Sequence, residues 1–144
     1  MKRSQLRSVH WSFWLIAVLL LLWNAMGVLN YLVQTMNPEA VAAMPESHQA
    51  LIEQRPAWAT GAFALAVFGG VIGCLFLLCR LRIALYFFWV SLVCVIVQMI
   101  PTIQLASTFE FSIFELVMTL ALPLLIAMFL VWYTRRAIRR RQIR

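Results

Sequence analysis

Residues 11–33 read WSFWLIAVLLLLWNAMGVLNYLV, a stretch for which a water-soluble fold has no place. Its segment Ala17–Trp23 is apolar on every side, so it shows neither the alternation of a barrel strand nor the single stripe of a surface helix. The run matches the ~20 residues that a helix needs to cross ~30 Å of hydrocarbon. A helix also satisfies every backbone N–H and C=O within the segment, as the bilayer demands. Residues 58–79, 83–102 and 111–132 read the same way, with a second all-apolar stretch at Leu124–Trp132. The expected fold is an all-α membrane protein, a single four-transmembrane-helix bundle over residues 1–144.

Composition points the same way. Of 144 residues, 64% are hydrophobic and 12% charged, whereas a soluble domain carries about a quarter charged residues. The mean hydropathy is +0.89. The formal net charge of +7 is unevenly placed. Lys2, Arg3 and Arg7 precede the first span, Arg80 and Arg82 fill the tight second connection, and Arg135, Arg136, Arg139, Arg140, Arg141 and Arg144 follow the last. Arg55 alone stands in the first loop, with Glu39, Glu46 and Glu53. The positive-inside rule therefore puts both termini and the middle turn in the cytoplasm. Trp11, Trp14, Trp132 and Tyr133 mark the inner boundary, Tyr31 and Trp58 the outer one. A basic start and the small-x-small Ala25-Met26-Gly27 also fit a cleavable leader; hydrophobicity continuing through Val28–Val33 favours a retained span.

The outer loop, residues 34–57, is expected to be short and helical. Asn37-Pro38-Glu39 supplies a cap, a proline for the first helical position and an acid for the dipole, and Pro45 opens a second turn. The loop either connects two spans across the bundle mouth or lids an outward-facing cavity. The tail, residues 134–144, is dense in arginine; Arg135, Arg136, Arg139, Arg140 and Arg141 suit anionic lipids at the cytoplasmic face. No aromatic platform accompanies it, so nucleic acid is not an expected partner.

Polar residues inside the spans fall on single faces. At ~100° per residue, Asn24, Gly27, Asn30 and Gln34 align on the first helix, Ala84, Ser91, Cys94, Gln98 and Thr102 on the third, and Ser112, Glu115, Thr119 and Pro123 on the fourth. The second has a helix-packing seam instead, Ala59, Ala62, Ala66, Gly69 and Gly73, whose small side chains let another backbone approach. Asn30, Gln98 and Glu115 lie roughly 6 Å in from the outer ends at ~1.5 Å per residue, with Asn24 and Thr119 nearer the midplane. Glu115, Asn30, Gln98, Asn24 and Thr119 thus converge on a polar pocket open to the outside and closed below by an apolar plug. Glu115 is the ionisable side chain set well inside a span. Such a carboxylate marks a pathway or proton site when it faces the interior; otherwise it is a shallow residue reaching interface water or Arg55. Pro123 is expected to kink the fourth helix near the midplane.

Catalytic chemistry is not expected. Glu115 has no companion Asp, His, Lys or Ser in a recognisable arrangement. Cys74 and Cys94 lie within spans and Cys79 at a boundary, while His10 and His48 fall on opposite sides of the bilayer. No metal set and no cofactor follow.

Trp23-Asn24-Ala25-Met26-Gly27, Asn37-Pro38-Glu39, Arg55-Pro56-Ala57-Trp58 and Phe68-Gly69-Gly70-Val71-Ile72-Gly73 together resemble a family of small four-span bacterial inner-membrane proteins often labelled "sugar transporter". The resemblance covers roughly residues 20–133 and implies the four-span fold and a multi-pass protein of the bacterial inner membrane, the label coming with no established mechanism or substrate. Two functions stay open on the residues themselves. One is a small-solute transporter or binding protein with an outward-facing pocket; four helices make a narrow bundle, so alternating access would need a homodimer. The other is a membrane scaffold or accessory subunit that holds another membrane protein through the small-residue face.

Overall fold

The computed structural model describes residues 8–106, 108 and 111–144; the first basic cluster, Lys2, Arg3 and Arg7, lies outside the described residues. The elements in chain order are α1 (Trp11–Met36), α2 (Pro38–Ala42), α3 (Glu46–Glu53), α4 (Ala57–Leu78), α5 (Ala84–Ala106), α6 (Ile113–Leu116), a π-helical turn (Val117–Ala121) and α7 (Leu122–Arg139). The last three stack into one continuous rod, Ile113–Arg139. That rod, α1, α4 and α5 are each long and apolar enough to cross a membrane. The molecule is an all-α, four-helix integral membrane protein.

Helix α1 continues past Val33 because nothing stops it before Asn37. There the Asn37 N–H donates to the Val33 carbonyl at 3.1 Å, and the Asn37 side chain accepts from the Ala40 N–H at 3.1 Å. One residue ends α1 and caps α2, with Pro38 at the first position, where its missing donor is harmless.

Helix α4 is the hub, packed against α1 on one side and α5 on the other, and α5 in turn packs on α7. The interior is built of small residues: Ala17, Ala59, Ala62, Ala66, Ala84 and Ala127 are buried, while Leu15, Leu19, Leu22, Leu65, Val93 and Leu125 are exposed toward the lipid side. This inverts a soluble protein. In lipid no hydrophobic force draws helices together, so close packing must supply the association. Three glycines set the approach. A Cβ on Gly70 would collide with the Asn24 carboxamide, one on Gly73 with the Phe88 ring, and one on Gly27 would sit 2.9 Å from Val67 Cγ1. Gly61 faces open space.

The dense part of the core lies at the basic end. Phe13, Leu77, Phe88 and Leu130 are fully buried, and they come from the start of α1, the end of α4, the start of α5 and the middle of α7. Here too α1 meets α7, through Phe13 stacked on Tyr133 with centroids 6.2 Å apart.

Helices α4 and α7 end alike. Arg80 and Arg141 take left-handed φ values of 60° and 55°, and Leu81 and Gln142 donate back to the carbonyls of Phe76 at 2.9 Å and Ala137 at 3.0 Å. Both are Schellman turns, with arginine where glycine is usual at a penalty of about 1–2 kcal/mol each. The two ends then pair. The Arg82 N–H donates to the Arg144 carbonyl at 2.6 Å, the Arg144 N–H to the Arg80 carbonyl at 2.8 Å, and Arg80 Nε to the Gln142 carbonyl at 2.7 Å. Ile143 is wholly buried beneath them, while Arg135, Arg136, Arg139, Arg140 and Arg141 remain exposed.

The glycine contacts give a direct test. Gly70→Ala and Gly73→Ala should each lower stability by about 1–3 kcal/mol through overpacking. Gly61→Ala should be neutral or raise it by up to ~1 kcal/mol through helix propensity. Denaturation midpoints of the purified variants in one detergent check the ranking; equal losses at all three positions would refute it.

Candidate functional site

Away from the basic end the helices splay, and a cavity of about 670 Å³ opens among α1, α4, α5 and the Ile113–Arg139 rod. Met44, His48, Leu51, Ile52 and Arg55 roof it from the loop. His48, Leu51 and Ile52 share one face of α3, which lies across the mouth with that side down, while Met44 precedes the helix and Arg55 follows it. Leu51 is 4% exposed.

Four residues of the polar set read from the sequence line this cavity: Asn24, Asn30, Gln98 and Thr119. They differ in what they can offer. Asn24 forms part of the floor, and its Nδ2 donates to the Leu20 carbonyl at 2.8 Å and toward Cys74 Sγ at 3.8 Å. Ser91, beside it, donates to the Ala66 carbonyl at 2.8 Å and ties α5 to α4. Ser91 thus joins two helices, as polar side chains in bilayers commonly do, while the Asn24 amide is satisfied mainly within α1. Asn30 accepts from Gln34 Nε2 at 3.1 Å, and Gln34 Oε1 accepts from Arg55 Nη1 at 2.8 Å. Gln98, Thr102 and Thr119 also line the wall, with no side-chain hydrogen bond to any described residue.

Glu115 is not part of this set, which corrects the sequence expectation. Helix α6 begins only at Ile113, so Glu115 sits in its first turn and closes a capping box. Its Oε2 accepts from the Ser112 N–H at 2.8 Å, and its N–H donates to Ser112 Oγ at 3.2 Å. Oε1 lies 3.7 Å from His48 Nδ1, beyond hydrogen-bond distance, where α3 passes the start of the fourth span. Local capping chemistry has the stronger claim on this carboxylate than the cavity.

Arg55 takes the place expected of Glu115 as the charged group of the site. Its guanidinium lies 5.3 Å over the Phe63 ring and has no carboxylate partner among the described residues. Burial lowers its pKa from the ordinary arginine value, yet a guanidinium starts so high that it stays charged. Sequence reasoning placed Arg55 among loop acids; the i, i+3, i+4 spacing of His48, Leu51 and Ile52 was the available signal for the face of α3 turned to the cavity, and Arg55 joins them from the turn after the helix ends at Glu53.

Pro123 acts as a widened turn. The Leu122 N–H bonds the Val117 carbonyl, one residue beyond the α spacing. Pro123 has no N–H for Thr119, and its ring would clash with that carbonyl in a regular helix. The π-turn relieves this, and its Met118, Thr119 and Leu120 line the cavity. π-turns of this kind gather at functional sites. Pro101, buried inside α5 one residue before Thr102, likewise removes a helix donor.

The cavity also opens sideways. Helices α1 and α7 hardly touch, and the cavity-lining Trp23, Met26 and Met118 are 39%, 64% and 46% exposed. At ~1.5 Å per residue, Met26 lies about 15 Å along α1 from its end at Met36, well within the depth of the hydrocarbon. Compared with protein-family models, curated proteins and solved structures, the chain matches none.

The division between capping and lining residues is measurable. Ser112→Ala should destabilise by about 1 kcal/mol, and Ser112→Ala with Glu115→Ala by less than the sum of the two single losses, because the box is reciprocal. Gln98→Leu, which deprives no described residue of a partner, should be neutral or stabilising. Thermal unfolding of the four variants decides it; a large loss in Gln98→Leu would mean that this amide holds the fold.

Proposed function

We propose that this membrane protein takes up a small organic solute in the cavity beneath α3, as a binding protein or a small transporter. The observation that carries the reading is the cavity itself, about 670 Å³, the size of an ordinary ligand site. The polar groups of Gln98, Thr102 and Thr119 there are left over by the fold, and a π-turn shapes its wall. The sequence resemblance to small four-span proteins labelled "sugar transporter" agrees with such a role and supplies a sugar-like solute as one class to try. The rival reading, a scaffold that recruits a membrane partner through the Ala59–Gly73 face, finds that surface already occupied: Ala59, Ala62, Ala66 and Gly73 are buried in a helix packed on both sides.

The reading includes an orientation. By the positive-inside rule the arginine end lies in the cytoplasm of a bacterial inner membrane and the cavity faces outward. In a cysteine-free background, Glu46→Cys should react with an impermeant maleimide on intact spheroplasts, and Arg139→Cys only after permeabilisation. The opposite pattern would invert the protein.

Ligand binding has its own test. Purified protein is heated against a panel of sugars, polyols, organic acids and amphiphiles. A solute that binds only the folded state, at about a hundredfold over its Kd, adds ~2.7 kcal/mol. One class should raise the melting temperature of wild type and not of Gln98→Leu. A panel without any shift would remove the main support for a binding role.

A further inference from the structure

The sideways opening and the lone cation of the cavity narrow the kind of solute. A site for a wholly polar ligand is normally walled from lipid, because hydroxyls facing hydrocarbon lose water without gaining partners. Here Trp23 and Met26 on α1 and Met118 on the fourth span line the cavity and are exposed, so acyl chains can reach its wall through the gap between α1 and α7. Charge on the described lining is one-sided as well, the Glu115 carboxylate standing behind it, 3.7 Å from the lining His48. Arg55 lines the mouth, no Asp or Glu stands among the described lining residues, and Gln34 uses Nη1 only, which leaves further guanidinium donors for an anion. From Gln34 at the mouth to Asn24 at the floor, α1 advances about 15 Å at ~1.5 Å per residue, over Asn30, Gly27 and Met26, with Trp23 next beyond.

We infer that the cavity binds an amphiphile with a single negative charge, its head on Arg55 and its apolar chain lying in the gap between α1 and α7. This rests on the cavity's being a binding site and goes beyond it in naming the ligand chemistry and its route, from the membrane and not from water. A carboxylate and a phosphodiester share the required head; either forms charge-assisted hydrogen bonds with a guanidinium.

Trp23 provides the readout. The protein is placed in phosphatidylcholine nanodiscs and titrated with 9,10-dibromostearate, its methyl ester, and a lysophosphatidylglycerol with the same brominated chain. At least one anionic probe should quench a fluorescence component that is missing in Trp23→Phe, and the more tightly bound of the two identifies the head. The methyl ester should bind about tenfold more weakly, the difference of one charge-assisted hydrogen bond. Arg55→Gln should weaken the anion by a similar factor, Arg55→Lys should recover much of it, and Arg82→Gln at the far end should change nothing. Should Arg55→Gln fold poorly, the comparison of acid and ester on wild type still decides. Equal binding of acid and ester overturns the assigned head while leaving a cavity that binds. Polar solutes that raise the melting temperature without any quenching of Trp23 overturn the amphiphile and leave the solute-binding reading standing. If neither occurs, and Met26→Cys and Met118→Cys crosslink between copies, the gap is a contact between protomers and both readings fall.

Discussion

The structure depends on how closely α1 and α5 approach α4. With no solvent to drive helices together, contact distance is the main source of attraction, and hydrogen at the Cβ position of Gly70 and Gly73 gives α4 room for the Asn24 carboxamide and the Phe88 ring. Because α1 and α5 both bind this hub, and α7 binds α5, the four spans form a bent row and not a closed square. A row has a gap between its first and last members. At the basic end Phe13 and Tyr133 fill that gap; toward the loop Trp23, Met26 and Met118 border it and the cavity remains.

Much of this could be read in the sequence, and for a physical reason. Hydropathy over ~20 residues reports directly on bilayer thickness, so four spans emerge from composition alone. The small-residue repeat on α4 is equally legible, since only packing gives alanine and glycine that spacing. The placement of Asn24, Asn30, Gln98 and Thr119 along one cavity also follows from helical period and depth. Glu115 did not, because its role depends on where α6 starts: a helix beginning at Ile113 turns an intramembrane carboxylate into a cap for its own first turn. Arg55 was obscured differently. Its charge reads as a loop residue, and only the tertiary position of α3 brings it over Phe63 and into reach of Gln34. The π-turn needed the clash between Pro123 and Thr119 to be resolved in three dimensions.

The polar side chains within the spans divide by what the backbone around them has left undone. Ser91 bonds the Ala66 carbonyl of the neighbouring helix, whereas Asn24 bonds the Leu20 carbonyl of its own helix and reaches α4 through Cys74 Sγ at 3.8 Å. Gln98, Thr102 and Thr119 line the cavity instead, and their side chains bond no described residue, although Thr102 is itself buried.

The pairing of the two Schellman turns bears on how the chain is assembled. The loop between α4 and α5 holds Arg80 in a left-handed conformation that its side chain disfavours, and its partners are the backbone groups of residues 142–144. Those residues are synthesised last of the described chain, after the fourth span. A ribosome-bound intermediate with α1, α4 and α5 inserted therefore carries a mildly strained turn that still lacks its bonds to residues 142–144. Arrival of Ile143 beneath it converts a row of three helices into a bundle with a fixed base, which makes the fourth span's correct insertion a condition for locking the earlier ones.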